Sequence, residues 1–171
     1  SGNMGEALIN GLIVSGSSAS NHIICSDIRE DQLERLEATY GIDTTTSNIE
    51  VVRQADIIIY AIKPQIMAMV LMETAEHLDM SKLIISIAAG VPMVAIENSL
   101  KKDLRLIRVM PNVAVAVNEG AAAIAAGKHA KPEDIQLAMD IFNSVGKCVF
   151  LKENELLDAI TGLSGSGPAY I

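Results

Sequence analysis

Gly2 and Gly5 stand three residues apart, directly ahead of an apolar-periodic segment, and Asp27 follows 22 residues after Gly5. That spacing matches the second and third glycines of a G-x-G-x-x-G turn. There the middle glycine lets backbone approach a pyrophosphate, the last lets a helix pack on a strand, and an acid about 20 residues on binds a ribose hydroxyl. The helix that follows would offer its unsatisfied N–H groups and positive dipole end to the diphosphate. Ser26 and Arg29 flank the acid. A carboxylate at this corner favours a free 2′-hydroxyl, whereas a guanidinium can meet a 2′-phosphate or stack on adenine. The two leave NADH and NADPH open as alternatives.

Other reactive residue types point elsewhere or nowhere. His22, His77 and His129 are scattered, with no second ligand at helical spacing, so no metal site is expected. Ser164 and Ser166 lie among glycines, but the nucleophile pattern G-x-S-x-G fails at its last position in Gly162-Leu163-Ser164-Gly165-Ser166. A helix start that binds a carboxylate, or plain capping, explains that run better. Cys25 and Cys148 each sit in an apolar run and read as buried thiols in a reducing compartment.

The elements that must position these residues alternate between strand and helix. Gly5 to Ser15 carries Ala7, Leu8 and Leu12 at helical spacing and stops at Gly16. His22 to Asp27 reads as a short buried strand, and Glu30 to Tyr40 as a helix capped by Gly41. Ser47 and Glu50 form a capping box for a helix that ends near Ala55. Asp56 to Ile62 and Leu83 to Ile87 are core strands, separated by a helix from Gln65 to His77. A short helix follows Pro92. Leu104 to Met110, Ala121 to Ala126 and Lys147 to Leu151 are three further strands, with a helix over Pro132 to Ser144 between the last two. This order predicts an α/β fold with a doubly wound, mostly parallel Rossmann sheet.

Composition agrees. In 171 residues, half are apolar and only 3% aromatic, a mixture suited to stiff β-branched strands covered by Ala-rich helices. A formal net charge of −8 argues against nucleic acid or an anionic membrane as partner. No apolar run approaches the ~20 residues of a membrane span and no signal peptide is visible, so a cytoplasmic protein is expected.

Five motifs carry a resemblance. Gly-Asn-Met-Gly at 2–5, Ala-Ile-Lys-Pro-Gln at 61–65, Ile-Ser-Ile-Ala-Ala-Gly-Val at 85–91, Val-Met-Pro-Asn at 109–112 and Thr-Gly-Leu-Ser-Gly-Ser-Gly-Pro-Ala-Tyr at 161–170 span the chain. In order and spacing they resemble the pyrroline-5-carboxylate reductases. The first is generic to dehydrogenases; the second and last are far more specific. The resemblance implies an enzyme that reduces 1-pyrroline-5-carboxylate to L-proline by hydride transfer from NADPH or NADH. It places Gly2, Asn3 and Met4 at the diphosphate, Ser26, Asp27 and Arg29 at the adenosine ribose, and Asn48 near the adenine. Ala61, Ile62, Lys63 and Pro64 would lie over the cofactor, and Ala88 and Ala89 would leave room for the nicotinamide. Asn112, Ser164 and Ser166 would face the imino acid, and no catalytic proton donor is named.

The resemblance further implies a dinucleotide-binding domain over residues 1–151 that lacks its first strand. Residues 152–171 would be the connection to, and first helix of, a helical C-terminal dimerisation domain, with a homodimer or higher oligomer formed through it. Two alternatives stand beside this one. A β-hydroxyacid dehydrogenase relative would share the glycine turn, although Ala61-Ile-Lys-Pro-Gln65 fits it poorly. A dinucleotide-binding module without catalysis would share the sheet.

Overall fold

The computed structural model describes residues 2–152, 156–165 and 167. Its first helix, α1 (Asn3–Val14), begins two residues before the sequence pattern predicts, because Gly2 takes the extended N-cap conformation and places Asn3 and Met4 in the first turn. Gly16, at φ 71°, ends the reversal after it. Next come β1 (Ile24–Ser26), α2 (Glu30–Tyr40), β2 (Asp43–Thr45) and α3 (Asn48–Gln54). Gly41 closes α2 at φ 64°, a left-handed position that glycine adopts without cost. Ser47 caps α3 by accepting from the Glu50 amide, as its spacing predicts.

The chain continues through β3 (Ile57–Tyr60), α4 (Pro64–Thr74), β4 (Leu83–Ser86), α5 (Met93–Leu100) and β5 (Arg105–Pro111). Strand β3 is shorter than the apolar run suggests, since the Ala61 amide turns back to the Ile59 carbonyl and Pro64 opens α4 as its first residue. Strand β6 (Gly120–Ala126), α6 (Pro132–Asn143), β7 (Gly146–Phe150) and α7 (Leu156–Ile160) follow, and a π-helical turn covers Thr161–Gly165.

Five strands form one sheet in the order β3-β4-β5-β6-β7, and β1 pairs with β2 in a separate parallel ribbon. Every pairing is parallel except β5 with β6. That exception has a plain cause. The link over residues 112–119 holds only a short 3₁₀ turn (Val113–Val117), closed by Asn118 at φ 59°, and a parallel crossover needs a dozen residues or more.

Residues alternate across the large sheet with period two. Ile84 and Leu106 face a core made with α4, α5 and α7, while Leu83, Ile85 and Ile107 face a second core under α1 and α6. Each such fully buried aliphatic side chain contributes about 1.5–3 kcal/mol of transfer free energy. Both strand faces are covered, which is why these strands read as continuous apolar runs. Both cysteines are buried and unbridged. A third, smaller core joins Ile9, Cys25, Leu36 and Ile42 and holds the β1–β2 ribbon to α1 and α2. Between the ribbon and β3 lies a largely apolar cavity of about 320 Å³, walled by residues of α1, β1 and β3. Among the described residues no helix is long and apolar enough to cross a membrane.

Candidate functional site

Strands β3, β4 and β5 run parallel in register, with Tyr60 opposite Ser86 and Ser86 opposite Arg108. Their carboxyl ends therefore share one edge of the sheet, where open α/β sheets receive ligands. Ala61–Pro64, Ala88–Gly90 and Asn112 follow those ends directly. Lys63 is the exposed N-cap of α4. Ala88 is buried while Ala89 and Gly90 are exposed, and Gly90 turns the chain at φ 70°. Ser86 is wholly buried beneath them, with its hydroxyl 3.4 Å from the Ala88 amide.

On the other side of the cavity stand the glycine turn and the acidic corner. Gly5, Ser26 and Ala61 all line that cavity, so segments far apart in sequence are neighbours in space. The N-cap of α1 has no side-chain cap, and a Cβ added at Gly2 would meet nothing within 4 Å. An exposed helix N-terminus with room at its N-cap Cβ position suits a diphosphate. The α1 end is itself held in place. The Glu6 carboxylate of its first turn accepts from both terminal nitrogens of Arg35 and, more weakly, from Tyr40 at 3.4 Å, which ties α1 to α2. The hydrogen bonds from Arg35 hold the Glu6 carboxyl below its ordinary range.

Asp27 and Arg29 form one unit. Arg29 donates to the two Asp27 oxygens from Nε and from a terminal nitrogen, at 3.1 Å each, and its backbone amide donates at 3.0 Å. Partial burial pushes the Asp27 carboxyl up, but the bonds it accepts from Arg29, together with the attraction of the N-terminal amine, outweigh this and hold the group below the carboxylate range. The Asp27 side chain is 9% exposed and that of Arg29 53%. The corner thus shows solvent a guanidinium laid over a carboxylate.

Asn48 stands behind this corner. Its Oδ1 accepts from the Ser26 hydroxyl at 2.8 Å, and its Nδ2 donates to Glu73 on α4 at 2.9 Å. Glu73 had no signal in the sequence, because only the tertiary fold brings α4 to α3.

Two of the residues expected to face an imino acid gather at the end of β5. Asn112 Oδ1 accepts from the Ala114 and Ala121 amides at 3.2 and 3.1 Å, which fixes the turn into β6. Its Nδ2 donates to Ser164 Oγ at 3.3 Å, so two expected residues 52 positions apart do meet. Ser166 lies outside the described residues. Among the described residues no group of three His, Cys, Asp or Glu side chains could hold a metal ion.

Residues 1–90 match the family described as NADP oxidoreductase, coenzyme F420-dependent. The pyrroline-5-carboxylate reductase of Methanosarcina acetivorans is 47% identical over 170 residues, 99% of this chain and 63% of that protein. Among solved structures, a pyrroline-5-carboxylate reductase from Coxiella burnetii superposes with a TM-score of 0.95 at 34% identity, over 99% of this chain and 63% of that one. The Plasmodium falciparum pyrroline carboxylate reductase with NADP bound gives 0.88 at 31% identity, over 99% and 61%. The chain spans a little over three-fifths of the length of these relatives. It belongs to the NADP oxidoreductase, coenzyme F420-dependent family, and nearly its whole length is similar to curated pyrroline-5-carboxylate reductases.

Proposed function

We propose that this chain carries the dinucleotide side and part of the substrate side of an NAD(P)H-dependent reductase that converts 1-pyrroline-5-carboxylate to L-proline. The observation that carries this reading is 47% identity to a curated pyrroline-5-carboxylate reductase, sustained over 99% of the chain. The geometry fits the cofactor. A helix N-terminus opens on free space at Gly2, and a half-exposed cation stands at the ribose corner. When bound, the reduced nicotinamide supplies the hydride, and the protein supplies orientation and electrostatics.

In this reading the amides at Gly2, Asn3 and Met4 hold the diphosphate, and Asp27 and Arg29 receive the ribose. Asn48 acts on the adenine side by fixing Ser26. The turn over Ala61, Ile62, Lys63 and Pro64 and the small residues Ala88 and Ala89 border the nicotinamide. Asn112, Ser164 and Ser166 serve the substrate carboxylate. A cyclic imine can enter already protonated, so its reduction does not require an acid from the protein. Residues 1–151 form the dinucleotide-binding domain, residues from 152 lead into the substrate side, and the natural protein is a cytoplasmic homodimer or larger assembly. Both NADPH and NADH are substrates, with NADPH favoured by Arg29.

The test is an assay of the natural gene product for pyrroline-5-carboxylate-dependent oxidation of NADPH and NADH, beside direct titration of both coenzymes. Gly2→Val is the informative variant. A Cβ added there meets no heavy atom within 4 Å, so the fold accommodates the side chain while the diphosphate does not. Coenzyme binding should weaken at least tenfold, about 1.4 kcal/mol, with little change in melting temperature. A Gly2→Val protein that binds NADPH normally would remove the diphosphate assignment. Turnover of a hydroxy acid in place of the imine would remove the reaction.

A further inference from the structure

Strand β5 places Leu106, Arg108 and Met110 on one face, and Asn112 continues that period just past its end. Arg108 is 2% exposed, in the middle of a five-stranded sheet. A guanidinium taken out of water there is costly unless a carboxylate meets it with good geometry. Asp158 of α7 does so, accepting from a terminal nitrogen of Arg108 at 2.7 Å. The two partners are unlike in burial, since the Asp158 side chain is 66% exposed. Asp158 therefore reaches the sheet from a helix lying on its surface.

The next two positions on the same strand face continue the contact. A Cβ built on Gly165 would come within 2.5 Å of Met110 Cε, so the backbone of the π-helical turn is seated directly on that side chain. Asn112 then donates to Ser164. Leu157 anchors the other end of the segment, fully buried in the core that Leu106 also joins. Thr161 Oγ1 donates to the Leu157 carbonyl at 2.8 Å and braces the turn against its own helix. Two alternate residues of β5, with Asn112 just past its end, thus hold the segment at Asp158, Ser164 and Gly165. The segment so held is a π-helical turn, a geometry that recurs at functional sites.

We propose that Arg108 and Asp158 are positioning residues for the substrate side: the pair fixes where α7 lies on β5 and thereby holds Ser164 against Asn112. This inference rests on the reading above that Asn112 and Ser164 serve the imino acid. The pair joins β5 to α7, whereas the dinucleotide corner is built on α1, β1 and the start of α2, so the effect falls on the substrate side. Loosening the pair lets the turn drift from Asn112, and loss of orientation is then felt in substrate use rather than in coenzyme affinity.

The experiment uses the natural gene product and three variants, Asp158→Asn, Asp158→Glu and Arg108→Lys. Asp158→Asn takes a carboxylate from the buried Arg108 guanidinium and costs stability, so melting temperatures set an assay temperature at which every variant is folded. Asp158→Asn should raise the KM for pyrroline-5-carboxylate about tenfold, with the Kd for NADPH within about twofold of the parent. Asp158→Glu should recover most of the loss. Arg108→Lys keeps the charge but loses the planar fork, and should fall between parent and Asp158→Asn. Amide hydrogen exchange over residues 156–165 should accelerate in Asp158→Asn and not in Asp158→Glu, a readout independent of turnover. A KM unchanged within twofold, or equal losses for imine and coenzyme, would overturn the positioning role, as would unchanged exchange. Inactivity of the parent towards the imine would instead overturn the proposed reaction, and the exchange data would still decide whether the pair holds the turn.

Discussion

Arg29→Ala separates the two coenzymes, and the structure sets both the direction and the size of the effect. In the parent the guanidinium covers the Asp27 carboxylate through two side-chain bonds of 3.1 Å and leaves its outer edge to solvent. A 2′-phosphate arriving there gains a charge-assisted contact, worth about 1.5–3 kcal/mol when well shielded. Arg29 is half exposed, so screening reduces this to about 1–2 kcal/mol. Removing the guanidinium should then raise the KM for NADPH about 5- to 30-fold. The same change uncovers Asp27, whose carboxylate repels a phosphate and accepts a bond from a 2′-hydroxyl. The KM for NADH should accordingly stay level or fall.

Initial rates at saturating imine, with each coenzyme varied in turn at neutral pH, read this directly. Repeating the NADPH series at high salt adds a check, because an exposed contact weakens as ionic strength rises. Equal changes in the two KM values would refute the reasoning and leave Arg29 a solvated charge that serves only to balance Asp27.

Two further predictions concern what holds the site's scaffold. Asp134 is 1% exposed, accepts from the Lys131 amide at 2.8 Å and pairs with Arg105, so Asp134→Ala removes a helix cap and strips a largely buried guanidinium of its partner. The cost should be about 3 kcal/mol, or a melting temperature about 6–12 °C lower for a domain of this size. The hydrogen bond from Arg105 depresses the Asp134 carboxyl, so its stabilisation is complete above the unfolded value near ~3.9 and is lost as pH falls through the lower folded value. Urea melts of parent and variant should therefore converge in acid, and a gap unchanged between pH 7 and pH 2 would contradict this. Gly146→Ala should prevent folding or yield aggregates, because the new Cβ would lie 2.0 Å from the Gly120 carbonyl oxygen and 2.4 Å from its nitrogen, at a φ of 154°. A soluble Gly146→Ala protein with a cooperative melt near the parent's would show that the β6–β7 contact yields more than backbone ordinarily can.

Much of the fold was legible because its signals are local. The helix over Glu30–Tyr40 carries its own stop in Gly41, and Ser47 carries its own start three residues before Glu50. Strands buried on both faces announce themselves as runs such as Ile57-Ile-Ile-Tyr60. What escaped was set by neighbours. Asp43–Thr45 has no apolar alternation and is a strand only because β1 offers it a parallel edge. The antiparallel turn of β6 depends on how few residues separate it from β5.

The candidate site divides in the same way, and the division says what kind of inference a single sequence supports. Glycine turns, strand ends and the Asp27-x-Arg29 corner act within a few residues, so their chemistry can be read where it is written. Asn48 with Glu73, Asn112 with Ser164 and Arg108 with Asp158 are 25, 52 and 50 residues apart, and no local pattern joins them. Yet the run Leu104-Arg-Leu-Ile-Arg-Val-Met110 did contain a signal. Arg105 and Arg108 differ by three within a strand and so face opposite sides of a sheet covered on both. Two arginines on opposite faces of a covered strand require two carboxylates from two different layers. The structure supplies Asp134 from α6 on one side and Asp158 from α7 on the other. The strand's own sequence thus demanded partners above and below it, and only the fold could name them.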